Sequence, residues 1–167
     1  MTKEEYIEKY QHLLKDHWAH PAVGEGWIPL IAKLTSMINN KIEDIKKYND
    51  SWLENEVITA DKHESNKKLA EKFKIVQIKE KFGGLRFYIE GTDYKEHKEI
   101  HAWIQFAEIM ADGLCEGCGT NQALGVTSGW MRTICQPCAI EIDKGDVWMS
   151  KEDRKKQIEE YKLNNNK

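Results

Sequence analysis

Residues 77–91 read QIKEKFGGLRFYIEG, two runs of β-branched and aromatic residues separated by Gly83–Gly84. Glycine tolerates the positive φ angles at the two central positions of a tight turn, so this stretch predicts a β-hairpin. With Gly83–Gly84 as the turn, Phe82 belongs to the first strand and Lys81 lies opposite Arg86. One face of the hairpin is then mostly apolar, and the other carries a like-charge pair that an anion would stabilise.

Helical patterns precede the hairpin. Thr2 and Glu5 form a capping box that predicts a helix to about Trp18. Apolar residues then recur at helical spacing over residues 27–45, which predicts a core helix, and residues 46–72 predict one or two polar surface helices.

Helical patterns also follow the hairpin. Asp93 is the expected N-cap of a helix that ends at Gly113 and covers the apolar face of the hairpin. Ser150 and Asp153 then predict the start of a charged C-terminal helix. The predicted fold class is therefore α+β, with a helical N-terminal half, a hairpin packed on a helix, a four-cysteine zinc ribbon and a C-terminal helix.

Length and composition limit the possible classes of protein. A chain of 167 residues with a net charge of −3 fits one domain, predicted over residues 1–163, followed by a disordered tail at 164–167. The small negative charge gives no general attraction to nucleic acid or to anionic membranes, so any basic surface must be local. Neither a signal-peptide pattern nor a bilayer-length apolar run occurs, so we expect a cytoplasmic protein, in the host cell, without a membrane partner.

The four cysteines form two pairs with zinc-ligand spacing. Cys115 and Cys118 make one CxxC motif, and Cys135 and Cys138 make a second one, with sixteen residues between the two motifs. This spacing predicts a zinc-ribbon module over residues 114–139. Four thiolates saturate a tetrahedral Zn²⁺ and leave no position for water, so the expected ion is structural. A redox pair of dithiols and an iron–sulfur cluster are the alternatives.

The polar face of the hairpin is the first candidate ligand site. Lys79, Lys81, Arg86 and Tyr88 would place cations beside an aromatic ring, which suits phosphates and a stacked nucleobase. The simpler interpretation is a solvated face, or one that is salt-bridged to the acidic helix after the hairpin.

Two further segments contribute candidate ligand-binding residues. Trp27, in the stretch GEGW, could supply a second ring, and Trp130 with Arg132 would lie close to the metal. For Trp130, packing against the core is the favoured interpretation and a contact surface is the alternative. Glu80 points to the apolar side of the hairpin, so it either reaches water at the rim or meets a buried partner such as a tryptophan N–H or an arginine.

Several motifs together resemble a group of small zinc-ribbon proteins, largely of unknown role, that bacteriophages and prophages encode. The motifs are GEGW, IKEKFGGLRFYIEG with its KEKFGGLRFY hairpin, FAEIMA, CEGCG, GW and CQPC, and they cover about residues 24–31 and 75–140. The resemblance implies a phage accessory protein with a zinc ribbon. It implies no biochemical role and no catalytic residues.

These observations favour a binding protein over an enzyme. The expected function is capture of an anionic ligand, either a nucleotide signal or a nucleic acid, or docking on a host protein, as anti-defence proteins do. The alternative is a metal-dependent nuclease or another nucleic-acid-processing enzyme. Asp16–His17 is similar to the Asp-His of ββα-metal nucleases. Its position, far ahead of the first cysteine, does not match that of those enzymes.

Overall fold

A computed structural model describes residues 1–142 and 148–165, which adopt an α+β fold. The fold class predicted from the sequence is confirmed. The helices are α1 (Lys3–Tyr10), α2 (Ile28–Glu54), α3 (Ala60–Lys72), α4 (Lys98–Ala111), α5 (Gln136–Ile142) and α6 (Lys151–Asn165). The strands are β1 (Lys74–Lys81), β2 (Gly84–Glu90), β3 (Leu124–Thr127), β4 (Thr133–Cys135) and β5 (Trp148–Ser150). No helix within the described ranges is both long enough and apolar enough to cross a membrane.

The main core lies between the hairpin β1–β2 and the helices α1 to α4. As predicted, α2 supplies its apolar stripe, and α4 packs on the hairpin. Burial of such side chains contributes about 1.5–3 kcal/mol each. The largest fully buried side chains are Tyr6, Trp27, Ile28, Ile31, Ile38, Ile42, Ile45, Leu69, Ile75, Ile78, Leu85 and Ile100.

The turn of the hairpin lies one residue earlier than the sequence predicts. Its central residues are Phe82, with φ of 55°, and Gly83, with φ of 78°, so Lys79 rather than Lys81 lies opposite Arg86. The predictions of a Gly83–Gly84 turn and of a Lys81–Arg86 pair are therefore wrong. Moving the turn by one residue shifts the cross-strand partners by two, so Gln77–Lys81 and their partners in β2 stay on their predicted faces. Phe82 leaves the strand, and a bulge between Ile75 and Gln77 interrupts the alternation at the other end.

Both edges of the hairpin are covered. Residues 13–22 run beside β1 and exchange backbone hydrogen bonds with it at Ile75 and at the Ile78–Glu80 segment. On the other side, the Phe87 N–H of β2 donates to Glu108 Oε1 of α4 at 2.9 Å. These contacts satisfy backbone groups that an open edge would leave free to pair with another chain.

Several predicted element boundaries are displaced. The capping box of Thr2 is confirmed, but α1 ends at Tyr10, and the following segment beside β1 contains a 3₁₀ turn at His17–Ala19. Helix α2 continues to Glu54 and absorbs part of the polar segment. Asp93 does not cap α4: its carboxylate accepts from Lys95 N, and α4 begins only after His97.

At the C-terminal end, the capping pair of Ser150 and Asp153 is confirmed as the start of α6. This helix runs to Asn165, so it includes the first two residues of the predicted tail. Residues 166 and 167 lie outside the described ranges.

Candidate metal centre and the groove beside it

The four cysteines converge on one point. Their sulfur atoms all lie within 4.8 Å of one another, and Cys118 Sγ lies 3.7 Å from Cys135 Sγ. A tetrahedral ion with metal–sulfur bonds of about 2.3 Å would place its sulfurs ~3.8 Å apart, so the group fits a single four-thiolate ion. Within the described ranges, no other group of three or more His, Cys, Asp or Glu side chains has this compactness.

The local backbone is shaped for such an ion. Cys135 N donates to Cys115 Sγ at 3.2 Å, and the positive φ of Gly119, 79°, allows the turn after the second ligand. Burial raises the pKa of Cys115, but backbone N–H groups of Cys135 and Cys118 more than offset it and bring the pKa to about 7. Burial holds the pKa of Cys135 and of Cys138 above its ordinary value. These thiols therefore need a metal to become thiolates together.

A small sheet completes the cysteine module, which we define as residues 114–142 with 148–150. Strand β3 pairs antiparallel with both β4 and β5, so the sheet extends beyond residue 139, the predicted end of the ribbon. Trp148 of β5 donates its indole N–H to Ile134 O at 3.0 Å. Cys115, Ile134, Cys135 and Ala139 form a separate buried cluster under this sheet.

The GEGW stretch docks backbone to backbone on the first cysteine pair. A Cβ added at Gly26 would lie 2.3 Å from both Cys115 O and Gly119 N, and one at Gly24 would lie 2.3 Å from Glu116 O. Real Cβ atoms do not approach backbone this closely, so glycine at both positions is what lets the main body touch the metal centre. The Gly26 N–H donates to Glu116 O at 2.9 Å across this junction.

Glu116 connects the two sides of the same junction through its side chain, which is 4% exposed. One carboxylate oxygen accepts from Gly24 N at 2.8 Å, and the other accepts from Arg132 Nε at 3.0 Å. A buried carboxylate with both oxygens satisfied in this way is far less costly than a lone one. Arg132, predicted as a ligand-binding residue, therefore has its guanidinium directed at Glu116.

Trp27 is also unsuited to the predicted role. Its side chain is fully buried, and its indole N–H donates to Leu114 O at 3.0 Å. The ring therefore packs in the core beneath the metal centre and offers no face to a ligand, which corrects its assignment to the ligand-binding set.

A groove lies between the hairpin turn and the loop that precedes β4. We call it the tip groove; its volume is about 550 Å³. An added Cβ at Gly83 would lie 3.2 Å from Thr133 Oγ1, so the turn packs directly on the cysteine module beside this groove. The residues lining the tip groove are Lys79, Glu80, Lys81, Phe82, Gly129, Trp130 and Met131.

Glu80 links the two walls of the tip groove. Its Oε1 accepts from Gly83 N at 2.6 Å, and its Oε2 accepts from the indole N–H of Trp130 at 2.9 Å. The partner of Glu80 is thus a tryptophan N–H, but on an exposed side chain and not the buried partner that the sequence analysis offers as the alternative to water. Trp130 itself is 74% exposed, so the favoured interpretation that it packs in the core is wrong.

Phe82 holds an unusual backbone conformation at the edge of this groove. A bulky residue with φ of 55° is strained. The Phe82 ring is 75% exposed and does not pack in the core. Placement of Phe82 in a strand follows from assigning the turn to the two glycines, so the sequence reasoning missed this exposed ring. Strain of this kind is retained where a structure needs the side chain in that place.

The remaining candidate cations and rings lie on the polar face of the sheet. Lys79 Nζ lies 5.4 Å from the ring centre of Tyr88, and Arg86 stands opposite Lys79 across the strands. Within residues 1–142 and 148–165, neither Lys79, Lys81 nor Arg86 forms an ion pair, so the face is not salt-bridged to α4. Lys79 and Lys81 are therefore available to an anion, whereas Arg86 already donates from Nη1 to Leu85 O at 2.6 Å.

Tyr88 lines a second concavity at the far end of this face, with a volume of about 400 Å³. We call it the sheet-end hollow. Trp18, 68% exposed, projects into it from the 3₁₀ turn beside β1. No local pattern in the sequence predicts that Trp18 lies beside the hairpin. The residues lining the sheet-end hollow are Lys15, Asp16, Trp18, Val76, Gln77 and Tyr88.

The Asp16–His17 pair has local structural partners. Asp16 Oδ1 accepts from Trp18 N at 2.8 Å and caps the 3₁₀ turn, while the His17 ring packs on the Trp18 ring with centres 4.8 Å apart. Neither residue belongs to the four-cysteine group.

Comparison of the chain with protein-family models, with curated proteins and with solved structures gives no match.

Proposed function

We propose that this chain is a zinc-stabilised binding protein whose tip groove accepts a nucleotide unit, that is, a phosphate joined to an aromatic base. The observation that carries the proposal is the composition of the groove, where Lys79 and Lys81 have no ion-pair partner among the described residues and two rings are about three-quarters exposed. The metal has a structural role in the proposal, because four sulfurs leave no open position for chemistry.

Zinc is the proposed ion because the compact sulfur group fits one tetrahedral metal. The sulfur positions, all within 4.8 Å, suit a single ion better than an iron–sulfur cluster, whose sulfide-bridged irons hold their ligands farther apart. Metal analysis of the purified protein tests this directly: one zinc per chain supports it, and iron with inorganic sulfide contradicts it.

The chemistry of the groove suits both parts of a nucleotide. Ammonium groups bind phosphate oxygens through charge-assisted hydrogen bonds, and exposed aromatic rings stack on bases with a contribution of about 1–3 kcal/mol per base. Glu80, the acidic residue of the groove, already accepts two hydrogen bonds, one of them from Trp130. Both oxygens of its carboxylate are thus engaged by the walls of the groove.

Charge reversal in the groove should remove this binding. Lys79→Glu with Lys81→Glu should lower affinity for a bound nucleotide probe at least about tenfold and reduce the salt dependence of binding, because each lysine replaces a counterion on a phosphate. The measurement is isothermal titration calorimetry with nucleoside triphosphates, cyclic dinucleotides and oligothymidylates at two salt concentrations.

A matched control for this change lies on α3. Lys68→Glu with Lys72→Glu introduces the same charge at two exposed positions that do not line the groove, and should leave affinity within about twofold apart from long-range effects. Equal losses in the two double variants, or no binding of any probe by the native chain, would contradict the proposal.

Phe82→Asn should change the stability of the protein and its affinity for a nucleotide in opposite directions. Asparagine followed by Gly83 is a preferred pair for a turn with two positive φ angles, so the variant should be more stable by about 1 kcal/mol. Loss of the ring should at the same time weaken nucleotide binding about tenfold. Denaturant unfolding and calorimetry measure the two effects; a more stable variant with unchanged affinity would show that the ring has no part in binding.

The phage-encoded origin and the anti-defence role rest on the resemblance of the motifs alone. Capture of a nucleotide-containing molecule is compatible with that role, since a protein of this kind can act by sequestering its ligand without catalysis. Cleavage of a bound oligonucleotide in the presence of Mg²⁺ or Mn²⁺ would favour the nuclease alternative.

A further inference from the structure

Resting on the proposed function, we infer that the ligand is a single strand of nucleic acid that runs from the tip groove across the polar face of the hairpin to the sheet-end hollow. A mononucleotide would fill the tip groove alone, whereas a strand of several nucleotides would occupy both concavities.

Lys79 connects the two concavities. It lines the tip groove, and its ammonium lies 5.4 Å from the ring centre of Tyr88, which lines the sheet-end hollow. Arg86 lies opposite it across the strands, where its Nη1 donates to Leu85 O at 2.6 Å and no ion pair is formed within the described part of the chain. Cations thus occupy the middle of the path, and aromatic rings occupy both ends.

The length of this path suits a short oligonucleotide. From Gln77, in the hollow, to Lys81, in the groove, β1 advances four residues, or ~13 Å at about 3.3 Å per residue. Bases stacked at about 3.4 Å per nucleotide cover that distance in about four nucleotides.

Charge at the hollow end favours stacking over phosphate binding. Lys15 is already paired with Glu90 at 2.8 Å, and the Asp16 carboxylate caps the turn that carries Trp18. What this end offers a strand is therefore the exposed face of Trp18, while the phosphates would lie over Lys79, Lys81 and Arg86. Cations that follow the backbone combined with rings that take bases in any sequence are typical of single-strand binding surfaces.

The test compares thymidylate oligomers of two, four and eight nucleotides on the native chain and on Trp18→Ala. Affinity should rise from dT2 to dT4 and change little from dT4 to dT8. Trp18→Ala should weaken binding of dT8 about tenfold and leave dT2 unchanged, because only the longer strand reaches the hollow.

Tyr94→Ala is the matched control. Tyr94 is also 68% exposed and packs on a histidine ring, His101, with centres 4.8 Å apart, yet it lies in neither concavity. Native affinity for dT8 is expected for this variant. Equal affinity for dT2 and dT8, or no effect of Trp18→Ala on dT8, would overturn the strand path while leaving nucleotide binding in the groove intact; failure of all three oligomers and of the mononucleotides to bind would refute both.

Discussion

Replacing Cys135 by serine should unfold the cysteine module while the main core stays folded. Cys135 is 3% exposed and carries one of the four sulfurs, so serine would leave a buried hydroxyl where the ion needs a thiolate. Structural zinc sites contribute apparent binding free energies of about 10–16 kcal/mol, far more than the small buried cluster of this module could replace. Removing the metal from the native chain with a chelator should have the same result.

Hydrogen exchange locates this effect. The indole N–H of Trp148, which donates to Ile134 O, should lose protection, while backbone amides near Ile38 in α2 should keep theirs. Addition of chelator to the serine variant serves as the control and should change nothing further. Nucleotide binding should also disappear, because Trp130 and Met131 of the tip groove belong to the unfolded part. Full protection of Trp148 in a metal-free variant would contradict this account.

The sequence predicted the elements that follow from short-range rules. Thr2 with Glu5 and Ser150 with Asp153 satisfy backbone groups only a few residues away, so their patterns suffice to locate two helix starts. The apolar stripe of α2 and the two CxxC motifs are equally local signals. The polar and apolar faces of the hairpin were also predictable, because side-chain alternation does not depend on which residues form the turn.

The errors arose where distant parts of the chain decide the conformation. Gly83 packs against Thr133, and its N–H donates a hydrogen bond to the Glu80 carboxylate. These contacts place Phe82 in the turn in spite of its backbone strain. Local propensity alone favours Gly83–Gly84 there. In the same way, the burial of Trp27 and the exposure of Trp130 depend on how the cysteine module docks, which the composition of either segment does not reveal.

Gly26→Ala should destabilise the protein by about 3 kcal/mol or more, the upper range for overpacking. A methyl group at this position would lie 2.3 Å from Cys115 O and Gly119 N and 2.8 Å from Cys118 N. All three are backbone atoms of the first CxxC motif or of the glycine that follows it. Because the metal would hold this backbone in place, it cannot move aside without a large energetic cost. The free energy of unfolding measured with denaturant should fall, and metal should dissociate faster.

Gly113→Ala supplies the comparison for this change. A Cβ there would meet only Met110 O, at 3.4 Å, so the same substitution should alter stability by less than about 1 kcal/mol. If Gly26→Ala were as mild as Gly113→Ala, the main body and the metal centre would not be in the close contact described here. A large loss of stability accompanied by faster metal release would instead show that the main body and the ion support each other through this backbone contact.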